Sequence, residues 1–138
     1  MNVFRVLAKY ALAIFFIVGG INHFVNPDFY VALMPDYLPA HEFLVLLSGV
    51  TEIVAGAMLA TPRLMRYGAW FIIVHLVVFF TVHIHMIQHA DRYPDVPYAA
   101  LWVRIGVQFF FIAWAFWFTR EPKTIVIEHH GPDEDDAA

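Results

Sequence analysis

The 138-residue chain contains no cysteine, which excludes disulfides, thiol redox chemistry and cysteine-ligated metal or iron–sulfur sites. Charged residues are also scarce, at 14% of the chain, whereas hydrophobic residues reach 61%. A soluble domain of this length would need more polar surface than this composition supplies. No basic patch suggests a nucleic-acid partner, and the net charge of −4 comes mostly from an acidic C-terminal stretch. The composition is therefore typical of a protein whose main partner is the lipid bilayer.

Four apolar runs account for most of the hydrophobic residues, and they cover residues 6–24, 43–60, 68–87 and 99–118. Each run has about 18–20 residues, which as a helix spans a hydrocarbon core of about 30 Å. Unbroken runs of this length indicate helices rather than barrel strands, because backbone groups in lipid must be paired internally. We predict an all-α fold, a four-helix transmembrane bundle within a single domain of residues 1–120. Residues 121–138 form an acidic tail that we predict to be disordered.

The positions of lysine and arginine predict how the helices cross the membrane. Arg5 and Lys9 begin the first helix, Arg63 and Arg66 separate the second from the third, and Arg120 and Lys123 follow the fourth. The connection at residues 25–42 has no lysine or arginine, and the connection at residues 88–98 has only Arg92. The excess of positive charge in cytoplasmic loops then places both termini, and the acidic tail, in the cytoplasm.

The first outer loop carries the clearest signal outside the four apolar runs. Asn26, Pro27 and Asp28 are typical of a helix start, with a capping side chain, a proline and an acid in the first turn. Phe29 and Tyr30 begin an apolar edge. We predict a short interfacial helix in this loop, with Tyr30 at the level of the lipid head groups. The same segment is alternatively a lid over a pocket between the helices.

Polar residues inside the predicted helices are the main candidates for a functional site. Glu52 lies in the middle of the second run, where a charge costs several kcal/mol and needs a partner in the protein interior. Counting residues places Glu52 about 14 Å and Arg104 about 8 Å from the outer boundary. We expect the outer half of the bundle to hold a polar cluster. Its candidate binding residues are His23, Glu52, Arg104 and Gln108, accompanied by Asn22, Ser48, Phe29 and Tyr30.

Three interpretations of this cluster are open. Glu52 and Arg104 form an ion pair, and the other polar residues hydrogen-bond the helices together. Alternatively, the residues line a pocket for an amphiphilic ligand such as a quinone, with Glu52 exchanging a proton. A metal site formed by His23, Glu52 and either His83 or His85 is the third and weakest interpretation. No catalytic nucleophile with a base and no cofactor fingerprint accompanies these residues.

Several motifs give the chain a resemblance to the DoxX-like membrane proteins. They lie at residues 22–30, 34–39, 48–53, 62–63, 68–70, 83–86, 104–108 and 113–115, within a resemblance that runs from about residue 5 to residue 120. The resemblance implies a four-helix bundle in the bacterial inner membrane, and some of its members are subunits linked to quinone-dependent oxidation. It thus implies a non-catalytic membrane subunit or ligand-binding protein with a redox protein as partner. An enzyme acting on a quinone or lipid at the outer leaflet is the alternative.

Overall fold

The computed structural model describes residues 1–120, and all regular secondary structure in that range is helical. In chain order, the elements are α1 (Val3–Val25), α2 (Pro27–Val31), α3 (His41–Ala60), α4 (Met65–Gln88), a 3-10 turn (Ala90–Arg92) and α5 (Tyr98–Trp117). The predicted acidic tail, residues 121–138, lies outside the described residues.

The predicted four-helix membrane bundle is confirmed. Helices α1, α3, α4 and α5 are 20 to 24 residues long, and each is apolar enough to cross a membrane. Their ends lie within three residues of the predicted boundaries. Large apolar side chains such as Ile14, Val74 and Phe109 are exposed along the outer faces of the bundle, where they would contact lipid. The chain is therefore a multi-pass membrane protein.

Cations at one end of the bundle bind backbone carbonyls. This end, here called the terminal end, carries the N-terminus and residue 120. The opposite end, here called the α2 end, carries α2 and the 3-10 turn. At the terminal end, the Arg5 guanidinium donates to the carbonyl oxygens of Trp117 and Arg120 at 3.2 and 2.6 Å. Lys9 is buried and its Nζ lies 3.4 Å from the carbonyl oxygen of Ala60. These cations thus serve the unpaired carbonyls at the C-terminal ends of α3 and α5.

Glycines bring α1 and α3 into close backbone contact. A Cβ atom on Gly20 would lie 2.5 Å from the carbonyl oxygen of Gly49, and one on Gly49 would lie 2.7 Å from the Cβ of His23. Small residues permit this approach in membrane bundles, where van der Waals packing drives helix association. Helices α1 and α5 instead meet through aromatic side chains, such as the stacked rings of Phe15 and Phe111 with centroids 4.7 Å apart. The bundle is therefore tight along α1–α3 and wider along α1–α5.

The apolar core fills the half of the bundle nearer the terminal end. Its buried members include Leu12, Phe16, Leu59, Ile72 and Phe118. The buried polar side chains beyond this core lie toward the α2 end, as the positions of His23, Glu52 and Gln108 along their helices require. The packed core thus supports a polar region that begins near the middle of the bundle.

The predicted helix in the first outer loop is present as the short helix α2, and its Tyr30 packs against α1. The Asn26 side chain does not cap α2, and its Nδ2 donates to Asn22 Oδ1 on α1 at 2.8 Å. Tyr30 is half-buried and stacks on the His23 ring with centroids 3.8 Å apart, rather than standing free as an interfacial anchor. Its hydroxyl accepts a hydrogen bond from Asn22 Nδ2 at 2.7 Å. Residues of α2 therefore cover the polar region.

Candidate functional site

Two histidines from different helices converge on the carboxylate of Glu52. His75 Nε2 on α4 lies 3.0 Å from Glu52 Oε1 on α3, and His23 Nε2 on α1 lies 3.7 Å from the same oxygen. All three residues are at least 92% buried. The cluster links three of the four membrane-spanning helices near the middle of the bundle. A buried carboxylate with two imidazole neighbours is a site that can hold and pass a proton.

The other ring nitrogen of each histidine faces oxygen atoms of α3. His23 Nδ1 lies 2.9 Å from both the carbonyl oxygen of Val45 and the hydroxyl oxygen of Ser48. His75 Nδ1 lies 3.3 Å from Thr51 Oγ1. Each hydroxyl can donate its own hydrogen to a backbone carbonyl, Ser48 to Val45 and Thr51 to Ser48, at 2.8 Å. A carbonyl oxygen can only accept, so His23 donates its Nδ1 hydrogen toward Val45, whereas the Thr51 hydroxyl can either accept from or donate to His75 Nδ1.

The carboxylate of Glu52 lies where the two imidazole rings meet. His75 Nε2 can donate a hydrogen bond to Glu52 Oε1 at 3.0 Å, whereas His23 Nε2, at 3.7 Å, is beyond hydrogen-bond distance of the same oxygen. Carboxyl and imidazole groups in contact can exchange a proton.

The second carboxylate oxygen of Glu52 is available to a ligand. A Cβ atom on Gly19 would lie 3.1 Å from Glu52 Oε2, so the absence of a side chain on Gly19 leaves room for this oxygen. Within residues 1–120, Oε2 makes no hydrogen bond. Glu52 lines a cavity of about 250 Å³ on the α1–α5 side of the bundle, here called the Glu52 cavity. Its lining comprises Phe15, Phe16, Gly19, His23, Tyr30, Glu52, Leu76, Phe79, Val107, Gln108 and Phe111.

A second cavity of about 180 Å³, here called the Arg104 cavity, lies under α2. Its lining comprises His23, Phe29, Tyr30, Leu33, Met34, Val45, Ser48, Phe79, Val82, His83 and Arg104. His23, Tyr30 and Phe79 line both cavities and their rings stack, since the Phe79 ring lies nearly parallel to the His23 ring at 6.5 Å. These three rings form the shared wall between the Glu52 and Arg104 cavities.

A third and larger space, of about 460 Å³, lies between α3 and α4. Its walls are mostly apolar, and Ser48, Thr51 and His75 are polar residues that reach it. Polar contacts run from Ser48 through His23, Glu52 and His75 to Thr51, with a 3.7 Å approach between His23 and Glu52, and residues of this series line all three cavities.

The structure places most of the predicted site residues around two neighbouring cavities and separates Glu52 from Arg104. His23, Glu52 and Gln108 line one cavity with Tyr30, whereas Arg104 lines the other with Ser48 and Phe29. The predicted Glu52–Arg104 ion pair is wrong, because the Glu52 carboxylate is paired with histidines. Asn22 contacts Tyr30 and Asn26 and does not line either cavity. Gln108 is buried and its Nε2 donates to the carbonyl oxygen of Leu76 at 2.8 Å.

The proposed metal site is not formed, because neither His83 nor His85 lines the cavity that holds His23 and Glu52. No group of three or more histidine, cysteine, aspartate or glutamate side chains within residues 1–120 has the arrangement of a metal site. His85 lies instead beside Tyr37 and His89, with ring centroids 5.8 and 4.3 Å away. It follows His75 by almost three helical turns on α4, which is about 15 Å along the axis.

His75 is the residue of the cluster that sequence reasoning missed as a partner for Glu52. A signal for it exists in the α3–α4 hairpin, since Glu52 lies eight residues before the end of α3 and His75 ten residues after the start of α4. At 1.5 Å per residue, these positions are about 12 and 15 Å from the connecting turn, and hence at similar depth. Counting from the shared turn would have paired them.

Comparison with known families identifies the chain's relatives. The model of a family described as Domain of unknown function (DUF8561) matches residues 12–119. No curated protein and no solved structure matches the chain. The expected membership of the DoxX-like proteins is wrong, because the family that matches is a different one. The match covers α1 from residue 12 onward, the whole of the other three membrane-spanning helices and the polar cluster, and the chain belongs to the DUF8561 family.

Proposed function

We propose that this membrane protein binds an amphiphilic ligand whose head group enters the Glu52 cavity. The ligand's head group exchanges hydrogen bonds, and a proton, with the His23–Glu52–His75 cluster. A quinone or quinol suits this site, because a quinol hydroxyl would donate to Glu52 Oε2 and a carbonyl oxygen would accept from the Gln108 amide, between aromatic walls. The protein would then serve as a non-catalytic binding protein or membrane subunit, with redox centres on a partner protein.

The convergence of two histidine Nε2 atoms on one oxygen of Glu52, beside an open cavity, carries this proposal. Polar residues that only joined helices would be satisfied by each other. Here one carboxylate oxygen is held by His75 while the other has no partner within residues 1–120. Ionisable groups inside membrane bundles commonly mark ligand or proton pathways.

The bundle also offers a way in from the membrane. The Glu52 cavity lies between α1 and α5, where aromatic side chains rather than backbone contacts close the gap. An apolar groove with Leu7, Ala11, Phe110 and Trp114 in its lining continues along the same two helices toward the terminal end. A head group at Glu52 could therefore leave its apolar chain along this groove in contact with lipid.

We further propose that the protein lies in the bacterial inner membrane with both termini in the cytoplasm. Positive charge is concentrated at the terminal end of the bundle. At the α2 end, Arg92 forms an ion pair with Asp36, so the loop cation there is neutralised. This asymmetry is what the positive-inside rule requires.

Binding of quinones to the purified protein tests the ligand proposal. Trp114 stacks on Phe111, which lines the Glu52 cavity, so its fluorescence reports on occupancy. We expect saturable quenching by ubiquinone-1 or menadione in dodecyl maltoside micelles. Glu52→Ala and Gln108→Ala should each weaken binding by about tenfold, the effect of one lost hydrogen bond to a polar head group.

Two matched variants separate a binding site from partition of quinone into the micelle. Glu42→Gln removes an exposed carboxylate from the same helix, and His89→Ala removes a histidine outside the cavity. Both should bind like the wild type. Quenching that does not saturate, or that is equal in Glu52→Ala and the wild type, would contradict the proposal and favour a purely structural cluster.

A further inference from the structure

Arg104 is a cation inside the membrane region without a partner in the described part of the chain. It lies six residues into α5, about 9 Å along the helix from its start. The ion pairs within residues 1–120 join other side chains, and no hydrogen bond from Arg104 reaches any residue in this range. A half-buried guanidinium at this depth needs a partner, because leaving it unpaired in a membrane costs several kcal/mol.

A second unsatisfied polar group faces the same cavity. His83 lines the Arg104 cavity, and its Nδ1 atom is buried without a hydrogen-bond partner within residues 1–120. Unpaired buried nitrogen atoms are rare in folded proteins and call for an unseen partner. Arg104 and His83 come from different helices, α5 and α4, and share one small space. Arg104 can only donate hydrogen bonds, and His83 donates from Nδ1 in one of its tautomers, so one molecule with hydrogen-bond acceptors would satisfy both groups.

The shape and lining of the cavity restrict that molecule to a small head group. About 180 Å³ cannot contain a whole lipid, so any long chain must leave the cavity. The side nearest α2 is apolar, with Phe29, Leu33 and Met34 in the lining. The polar groups that lack partners are a fixed cation and an imidazole nitrogen, with no carboxylate in the lining.

We infer that the Arg104 cavity is a binding site for a phosphate or carboxylate anion. The guanidinium would bind two oxygens of the anion through its fork of N–H groups, and His83 Nδ1–H would donate a third hydrogen bond to the anion. An anion also neutralises the charge of Arg104, which a neutral carbonyl does not. The lipid head group and the free anion share this chemistry. The inference does not rest on the proposed function, because Arg104 does not line the Glu52 cavity.

Binding of dodecyl phosphate and of inorganic phosphate tests the inference. The protein is prepared in dodecyl maltoside micelles, which contain no phosphate, and binding is followed by ³¹P NMR. We expect saturable binding of dodecyl phosphate that weakens at least tenfold in Arg104→Gln, as for the loss of charge-assisted hydrogen bonds. His83→Leu should weaken it several-fold.

Two further variants and one competing probe test whether binding is specific to Arg104. Arg104→Lys keeps the charge but loses the fork, so its affinity should lie between those of the wild type and Arg104→Gln. This variant also carries the test if Arg104→Gln does not fold. Arg92→Gln removes an exposed arginine at the same end of the bundle and should bind dodecyl phosphate like the wild type. Dodecyl trimethylammonium, with the opposite charge, should not compete.

The two phosphate probes distinguish the sources of the anion. Tighter binding of dodecyl phosphate than of inorganic phosphate identifies a lipid head group, whereas equal Arg104-dependent binding of both identifies a free anion. Affinity unchanged in both Arg104→Gln and Arg104→Lys, or lost equally in Arg92→Gln, would overturn the inference. Quinone binding at the Glu52 cavity should persist in Arg104→Gln, so the failure of one proposal does not entail the failure of the other.

Discussion

His75 on α4 and Glu52 on α3 are joined by a 3.0 Å contact between Nε2 and Oε1, at similar depths in an antiparallel hairpin. The contact buries two ionisable groups in a region that would otherwise be apolar. The Nδ1 atom of His75 contacts Thr51, and the Nδ1 atom of His23 contacts Ser48. These contacts restrict rotation of both rings away from Glu52. The pair therefore links helix packing to the chemistry of the cavity.

The first prediction is an energetic coupling between Glu52 and His75. Glu52→Ala and His75→Ala should each destabilise the protein, and the double variant should lose less than the sum of the two. We expect a coupling of about 0.6–1.7 kcal/mol, between the average and the maximum found for interhelical hydrogen bonds in a membrane bundle. The free energy of unfolding in mixed dodecyl maltoside and SDS micelles provides the measurement.

The cycle of Glu52→Ala with Arg104→Ala is the control, since these two residues do not pair. Its effects should add to within about 0.5 kcal/mol. Additive effects in the His75 cycle would mean that the contact contributes nothing to stability.

The second prediction separates the hydrogen-bonding role of Glu52 from its packing. An amide at this position can either donate to or accept from His75 Nε2, so Glu52→Gln keeps the contact that Glu52→Ala removes. We expect Glu52→Gln to be more stable than Glu52→Ala by about 1 kcal/mol, the value of one hydrogen bond. Melting temperatures of the two variants in one detergent are the measurement, and equal values would mean that the hydrogen bond between residue 52 and His75 contributes nothing to stability.

The third prediction concerns the glycines between α1 and α3. Gly49→Ala should destabilise the bundle by about 1–3 kcal/mol, because the added methyl group would overlap the Gly20 carbonyl and the His23 side chain. Gly106→Ala is the matched control, since a Cβ atom there meets nothing within 4 Å. Gly106→Ala should be neutral or slightly stabilising, as expected for alanine in a helix. Unfolding in mixed micelles reports both, and equal losses would refute the packing argument.

The fourth prediction concerns the cover formed by α2. Tyr30→Ala removes the ring that stacks on His23 and the hydroxyl that binds Asn22. We expect a loss of about 1–3 kcal/mol from the stacked ring and its hydrogen bond together. Tyr67→Ala, at an exposed tyrosine, should change the free energy of unfolding by less than about 0.5 kcal/mol. Similar losses in both variants would mean that Tyr30 is not part of the packed site.

The fifth prediction is the orientation of the bundle in the membrane. Reporter fusions after Arg66 and after Lys123 should report the cytoplasm, because the positive charges hold these positions inside. A fusion at Asp36 should report the opposite side. The reverse pattern would place the Glu52 and Arg104 cavities toward the cytoplasmic leaflet.

Helix number, helix boundaries and the level of the polar residues could be predicted from the sequence because they depend on residue counts along one chain. The position of Glu52 within an apolar run identifies it as an interior residue, since a charge there needs a protein partner. The partner could not be deduced in the same way. The sequence favours Arg104 as the partner, because it carries the opposite full charge. In the structure, Gln108 lines the same cavity as Glu52, whereas Arg104 lies about one helical turn nearer the start of α5 and lines a different cavity.

The sequence by itself determined that this chain forms four membrane-spanning helices, because lipid requires each long apolar run to pair its own backbone groups. It also determined which end carries the positive charge. Only the tertiary structure decided that His75 and His23, not Arg104, face Glu52, since rotation of each helix and the close approach at Gly20 and Gly49 set which side chains meet. That same packing divided one expected pocket into two, with the stacked rings of His23, Tyr30 and Phe79 as the wall between them.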